Sequence, residues 1–164
     1  MEFNDFTIRT APVPEDIRSI RDIVESTSFF SADETDIAVE LVEERLARGK
    51  SSGYEFLFAC HEGKPVAYSC YGLIPCTIKS YDLYWIVTHN DYRGKGIGSH
   101  LLRLTEQEIA SAGGYGVYAE TSSREQYLST RSFYEKNNYK MKACFEDFYD
   151  DGDDKVVYVK YLKD

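Results

Sequence analysis

Apolar positions recur along this chain in two rhythms, every second residue in short runs and every third or fourth in longer ones. The first rhythm marks strands and the second amphipathic helices, so the pattern alone orders the elements. Residues 5–9 alternate Phe6 and Ile8 with polar neighbours and predict a short strand, ended by Pro12 and Pro14. Pro14 suits the first position of a helix with Ile17, Ile20 and Val24 inward and Ile23 beside them. Residues 26–30 interrupt it. Ser31-x-x-Glu34 is then a capping-box signature for a second helix, with Ile37, Leu41, Val42 and Leu46 inward and Gly49 at its end. Residues 53–61 and 65–74 read as two strands joined through Glu62-Gly63-Lys64, and their apolar richness predicts cover on both faces.

Residues 81–104 are the centre of the pattern. Leu83, Trp85, Ile86 and Val87 form a strand-like apolar run that His89, Asn90 and Asp91 break. Beyond glycines 94, 96 and 98, a helix is predicted from near Gly96, because Ile97, Leu101, Leu104 and Leu102, Thr105, Ile109 recur at helical spacing. Gly113-Gly114 stops it, and residues 115–121 give a fifth strand. Ser122-x-x-Glu125 is a second capping-box candidate, for a helix running to about Asn137. Residues 139–148 and 155–162 close the chain as a hairpin about Asp150-Asp151-Gly152-Asp153. The order is β-α-α-β-β-β-α-β-α-β-β.

At 164 residues the chain is expected to be a single domain, residues 1–164, burying roughly 70% of its unfolded surface. Its formal charge of −9 argues against nucleic acid as a partner and mildly favours a cationic one such as an amine. Cys60, Cys70, Cys76 and Cys144 form no C-x-x-C pair and read as reduced thiols of an intracellular protein. No metal is expected, since His61, His89 and His100 lie at no helical or knuckle spacing. The first residues show no signal-peptide pattern and no apolar run approaches a membrane span, so the expectation is a cytoplasmic protein with no membrane partner.

The turn Arg93-Gly94-Lys95-Gly96-Ile97-Gly98 sits where a strand hands over to a helix. Helix-start N–H groups lack internal acceptors and carry the positive end of the macrodipole, which suits phosphate. Glycines let a diphosphate approach the main chain, and Arg93 and Lys95 add positive charge. A Walker A run is absent, and a Rossmann fingerprint would need glycine where Ser99 stands. A turn that needs glycine for backbone reasons alone stays open.

The same run, with Asp91-Tyr92 ahead and Leu101-Leu102 behind, resembles the Arg-x-x-Gly-x-Gly/Ala loop of the GNAT superfamily of N-acetyltransferases. Phe133-Tyr134-Glu135-Lys136-Asn137-Asn138-Tyr139 resembles that family's Phe-Tyr-Glu-Lys-x-Gly-Phe segment, and the likeness extends over nearly the whole chain. It implies the α/β GNAT fold, a mixed sheet splayed between its fourth and fifth strands. It also implies acetyl-CoA as cofactor, held by Arg93, Gly94, Lys95, Gly96, Ile97, Gly98 and Ser99 and by strand residues Ile86, Val87 and Thr88 near an expected bulge. Tyr134 takes the place of the tyrosine that hydrogen-bonds the cofactor sulfur and protonates the leaving thiolate. The pattern is broken at Tyr127, where the family often has asparagine, and at Asn90, where it usually has proline.

An amine must lose a proton before attack, and Glu120, Asp82 and then His89 are the candidate bases, the carboxylates sharing an even parity on neighbouring strands. Phe29 and Phe30, between the first helices, are candidate acceptor contacts or a hydrophobic staple. Tyr149 is a third, from a loose likeness of the acidic hairpin to that of N-terminal protein acetyltransferases; a polyamine site or a solvated turn are other readings of it. The expected activity is acetyl transfer to a primary amine of a small molecule or peptide by direct attack in a ternary complex. Protein N-terminal or lysine acetylation and a non-catalytic acyl-CoA-binding module remain open, as does the oligomeric state, a homodimer included.

Overall fold

A computed structural model describes residues 3–163. Its elements are β1 (Phe6–Arg9), α1 (Asp16–Ser26), α2 (Ala32–Arg48), β2 (Glu55–His61), β3 (Lys64–Leu73), β4 (Ser80–Thr88), α3 (Ile97–Ser111), β5 (Gly116–Ser122), α4 (Leu128–Lys136), β6 (Lys140–Asp150) and β7 (Asp153–Tyr161). This is the order read from the sequence. The chain forms two compact units, one holding residues up to Gly72 with Trp85–Thr105, the other Leu73–Tyr84 with the chain from Glu106 on. Strand neighbours run β1-β2-β3-β4 and then β4-β5-β7-β6, so seven strands make a mixed sheet with β4 common to both parts.

In the first unit, β1, β2 and β3 are antiparallel neighbours. Phe56, Phe58, Cys60, Tyr68 and Cys70 face a core completed by Ile20, Ile23 and Val24 of α1, Ala38, Val39 and Val42 of α2, and Val87 of β4. Leu57, Ala59, Ala67 and Ser69 are buried as well, and Ser69 meets Thr105 of α3 through a 2.8 Å hydroxyl hydrogen bond. Both faces of β2 and β3 are thus covered, as their composition requires. Asp16, only 1% exposed, accepts two bonds from the Arg9 guanidinium (2.7 and 2.8 Å) and one from the Val13 amide (2.7 Å), which fixes the entry to α1.

Ser31 and Glu34 form the expected capping box, Glu34 N–H to Ser31 Oγ and Ser31 N–H to Glu34 Oε2. Two expectations for the first helices change. Helix α1 begins at Asp16, two residues past Pro14. Ile37 is half exposed, because Thr35, Ala38, Val39 and Val42 make the buried stripe of α2 and small residues there admit close approach to α1.

In the second unit, β4 and β5 pair in parallel only from Ser80–Gly116 to Asp82–Tyr118. The pairing ends there, at the parting the fold calls for. Antiparallel β5–β7 and β7–β6 ladders continue the sheet. Ser122 does not cap a helix, since it ends β5 and its hydroxyl is bonded to the Asp153 carboxylate. Helix α4 instead starts at Leu128, after Arg131 has clamped the intervening turn through the Ser122 and Arg124 carbonyls (both 2.8 Å).

Tyr68 is fully buried beside Phe56 and Phe58, and among the described residues its hydroxyl has no hydrogen-bond partner. An unsatisfied buried hydroxyl costs about 1–3 kcal/mol. Tyr68→Phe should therefore leave the denaturation midpoint unchanged or raise it. A loss exceeding about 1 kcal/mol would mean that the hydroxyl has an acceptor.

Candidate active site

Beyond Thr88, the turn from β4 into α3 is built by local bonds within the first unit. The His89 amide donates to the Val66 carbonyl (2.8 Å), and His89 Nδ1 accepts from the Asp91 amide (3.2 Å), capping a short 3₁₀ turn over Asn90–Tyr92. The Asn90 amide donates to Ser26 Oγ (3.0 Å), and Tyr92 Oη lies 3.2 Å from His61 Nδ1. Phe6 and His61 flank the Tyr92 ring, with Lys95 Nζ 5.3 Å over it. His61 and Tyr92 were no part of the expected site; their pairing across the chain holds the loop, and nothing in local periodicity signals it.

From Arg93 onward the chain turns outward. Gly94 (φ 74°) and Gly96 (φ 78°) adopt the left-handed conformation that side chains disfavour, and a Cβ at Gly94 would meet nothing, so the space beside it is open. Arg93, Lys95 and Ser99 are exposed and Gly98 half-buried, whereas Ile97 is buried and can offer only its amide. The Gly96 carbonyl accepts the first α3 hydrogen bond from His100 (3.1 Å), leaving the amides that follow it pointing out of the helix. Exposed main-chain donors, two cations and no obstructing Cβ fit a diphosphate.

Strand β4 contributes less through its side chains. Val87 belongs to the first unit's core with Trp85 packed against it, so only main-chain atoms of Val87 can meet a ligand; Ile86 and Thr88 are half-buried. Phe30 stacks edge-on to Trp85 (4.9 Å, 63°) and Phe29 edge-on to Phe30 (5.0 Å, 85°), an aromatic wedge rather than a staple across the first turn of α2.

In the second unit, Tyr134 is 6% exposed and its ring lies against Tyr139 (5.5 Å) and Tyr158 (5.8 Å, 28°). Burial pushes its phenol pKa well above the ordinary value. Tyr158 is anchored by a 3.0 Å bond to Glu135, and Tyr139 by one of 3.0 Å to Glu106, which Lys160 also meets at 2.9 Å. Behind α4, Asn138 takes φ 68° where the family segment has glycine. Asparagine tolerates that conformation, so the departure keeps the geometry.

Asp82 and Glu120 do share a face, because Asp82 pairs with Tyr118, two residues before Glu120. Lys155 stands with them, 3.1 Å from Glu120. Burial and then the Glu120 charge raise the Asp82 pKa, against Lys155 and a hydrogen bond from Tyr84, which lower it. Tyr149 is half exposed, edge-on to Phe148. Much of the acidic hairpin is internally satisfied: Asp153 and Asp150 meet Arg124 (3.1 and 3.4 Å), and Asp154 and Asp147 accept backbone amides. Among the described residues no group of three or more His, Cys, Asp or Glu could hold a metal ion.

The family model for the acetyltransferase (GNAT) domain matches residues 52–141. The chain belongs to the GNAT acetyltransferase family. A solved structure from Desulfovibrio desulfuricans, described as an acetyltransferase of the GNAT family, is 38% identical, with a TM-score of 0.95, 96% of this chain and 99% of that one covered. The ribosomal-protein-S18-alanine N-acetyltransferase of Escherichia coli shares the fold at 16% identity (TM-score 0.75; 97% and 95% covered). So does an aminoglycoside 6'-N-acetyltransferase crystallised with coenzyme A, at 19% identity (TM-score 0.75; 96% and 98% covered). No curated protein sequence matches the chain. GNAT enzymes use acetyl-CoA, and the glycine loop described above fits its diphosphate.

Gly96→Ala imposes a side chain on a left-handed residue at a strain of about 1–2 kcal/mol. Its affinity for coenzyme A, measured by calorimetry, should fall roughly tenfold with little change in melting temperature. Wild-type affinity would show that the loop takes no part.

Proposed function

We propose that both units act as one acetyltransferase domain over residues 1–164, moving an acetyl group from acetyl-CoA to a primary amine of a small molecule or peptide, in the cytoplasm. No described helix is long and apolar enough to cross a membrane. The observation that carries the reading is Tyr134, a phenol at the family's tyrosine position, buried and locked between two anchored tyrosines while its pKa is raised.

Bound acetyl-CoA supplies the activated acyl group as a thioester. The loop amides with Arg93 and Lys95 hold the diphosphate, and the main chain of Ile86, Val87 and Thr88 supplies donors for the acyl carbonyl. Direct attack by the amine places negative charge on that oxygen and then on the departing sulfur. Tyr134 donates a hydrogen bond to the sulfur. A thiol ionises near ~8.5 and an unperturbed phenol near ~10, so complete proton transfer from Tyr134 is uphill until desolvation makes the thiolate more basic. Its raised pKa keeps the hydroxyl protonated throughout the physiological range.

An alkylamine ionises near ~10.4 and arrives protonated at pH 7. Asp82 is the better base of the two carboxylates: burial raises its proton affinity, whereas Glu120 is engaged by Lys155 and serves to tune Asp82. His89 already uses Nδ1 to cap the loop and is assigned to structure. Phe29, Phe30 and Tyr149 are assigned to the acceptor side.

Release of free thiol, measured with polyamines, amino acids, aminoglycosides and short peptides, tests the activity. Tyr134→Phe should lower kcat about 10²-fold with coenzyme A affinity nearly unchanged; unaltered kcat would remove Tyr134 from the mechanism. A base must be deprotonated to act, so kcat/KM should fall as pH drops through a value above the ordinary carboxylate pKa of ~3.9. Asp82→Asn should abolish that acid limb, and a limb unchanged in the variant would assign it elsewhere.

A further inference from the structure

Just ahead of the glycine loop, the half-buried ring of Tyr92 is enclosed by three other rings of the first unit. Phe6 and His89 meet it edge-on (6.3 Å, 78° and 6.2 Å, 80°). His61 lies tilted at 5.6 Å, with Nδ1 3.2 Å from the Tyr92 hydroxyl. Residues from β1, from the end of β2 and from the exit of β4 thus converge to fix the orientation of one ring.

That ring carries a cation. The exposed Lys95 ammonium lies 5.3 Å over it and donates to the Asp91 carbonyl (3.2 Å). Both holding groups are uncharged, and the Asp91 carboxylate is turned to His89 instead, 3.8 Å from Nδ1. Lys155 and Lys160 of the second unit are held differently, by carboxylates at 3.1 and 2.9 Å. A carboxylate fixes a lysine and cancels its charge; a ring face and a carbonyl fix it and leave the charge for an incoming anion. An ammonium has three N–H donors, so two remain after the Asp91 bond.

We propose, on the reading that this loop holds acetyl-CoA, that Tyr92 is a positioning residue for the cofactor: its enclosed ring, with the Asp91 carbonyl, holds the Lys95 ammonium charged and in place for the diphosphate. A lysine held in advance has less rotamer freedom to lose when the anion arrives, so the ring adds affinity without touching the ligand. His61, Phe6 and His89 act one step further back, by holding the ring.

Calorimetric titration of the full chain with coenzyme A tests this as a double-mutant cycle. Tyr92→Leu should weaken binding roughly fivefold, and Tyr92→Phe, which keeps the ring, less than about twofold. In a Lys95→Met background Tyr92→Leu should have no further effect, whereas mere damage to the loop would lower affinity there by the same factor. Dephospho-coenzyme A, which keeps the diphosphate and lacks the 3'-phosphate, should show the same ratios. In the wild-type protein without ligand, NMR should find the Lys95 side-chain protons shifted upfield by the Tyr92 ring current, a readout that needs no variant to fold. Unaltered affinity in Tyr92→Leu, an equal loss in the Lys95→Met background, a loss seen with coenzyme A but not with its dephospho form, or unshifted Lys95 protons would each overturn the proposal. A wild-type chain that bound neither ligand would overturn the cofactor assignment along with it.

Discussion

Peptide N–H groups at a helix start have no acceptor within the helix, and a fold that leaves them open must either give them to water or to a ligand. The turn between β4 and α3 brings glycines at positive φ to such a helix start, in a chain with a net charge of −9. Two cations are placed there against that background. The surrounding bonds from Ser26, His61 and Val66 fix the path of the chain up to Tyr92, just ahead of the glycines.

Tyr134 shows the same economy on the other unit. Its ring is held by aromatic neighbours whose own hydroxyls are tied to Glu135 and Glu106, so the polar anchoring is done by Tyr158 and Tyr139. A phenol that is buried, immobilised and kept protonated is suited to donating toward an atom that gains charge.

Much of this was legible in the sequence because it is local. Period and punctuation gave the order of all eleven main elements, the Ser31 capping box is written in four residues, and the glycine loop and the α4 segment are contiguous motifs. What local pattern could not show is long-range competition for a side chain. Ser122 looks like a cap until Asp153, thirty-one residues on, takes its hydroxyl; Glu120 looks like a free base until Lys155 arrives from β7. Ile37 fits an apolar stripe by spacing, yet Ala38 and Val39 allow the closer helix approach and displace it to the surface. Asn138, a departure by letter, is no departure by conformation.

The central proposal is that the amides of the glycine loop grip the diphosphate of the thioester cofactor and that Tyr134 donates to its sulfur. A crystal structure of the protein grown with coenzyme A tests it most directly. The account requires diphosphate oxygens at about 2.7–3.2 Å from amide nitrogens of the 94–99 segment and the sulfur within hydrogen-bonding reach of Tyr134 Oη. A diphosphate bound elsewhere, or a Tyr134 hydroxyl remote from the sulfur, would contradict it.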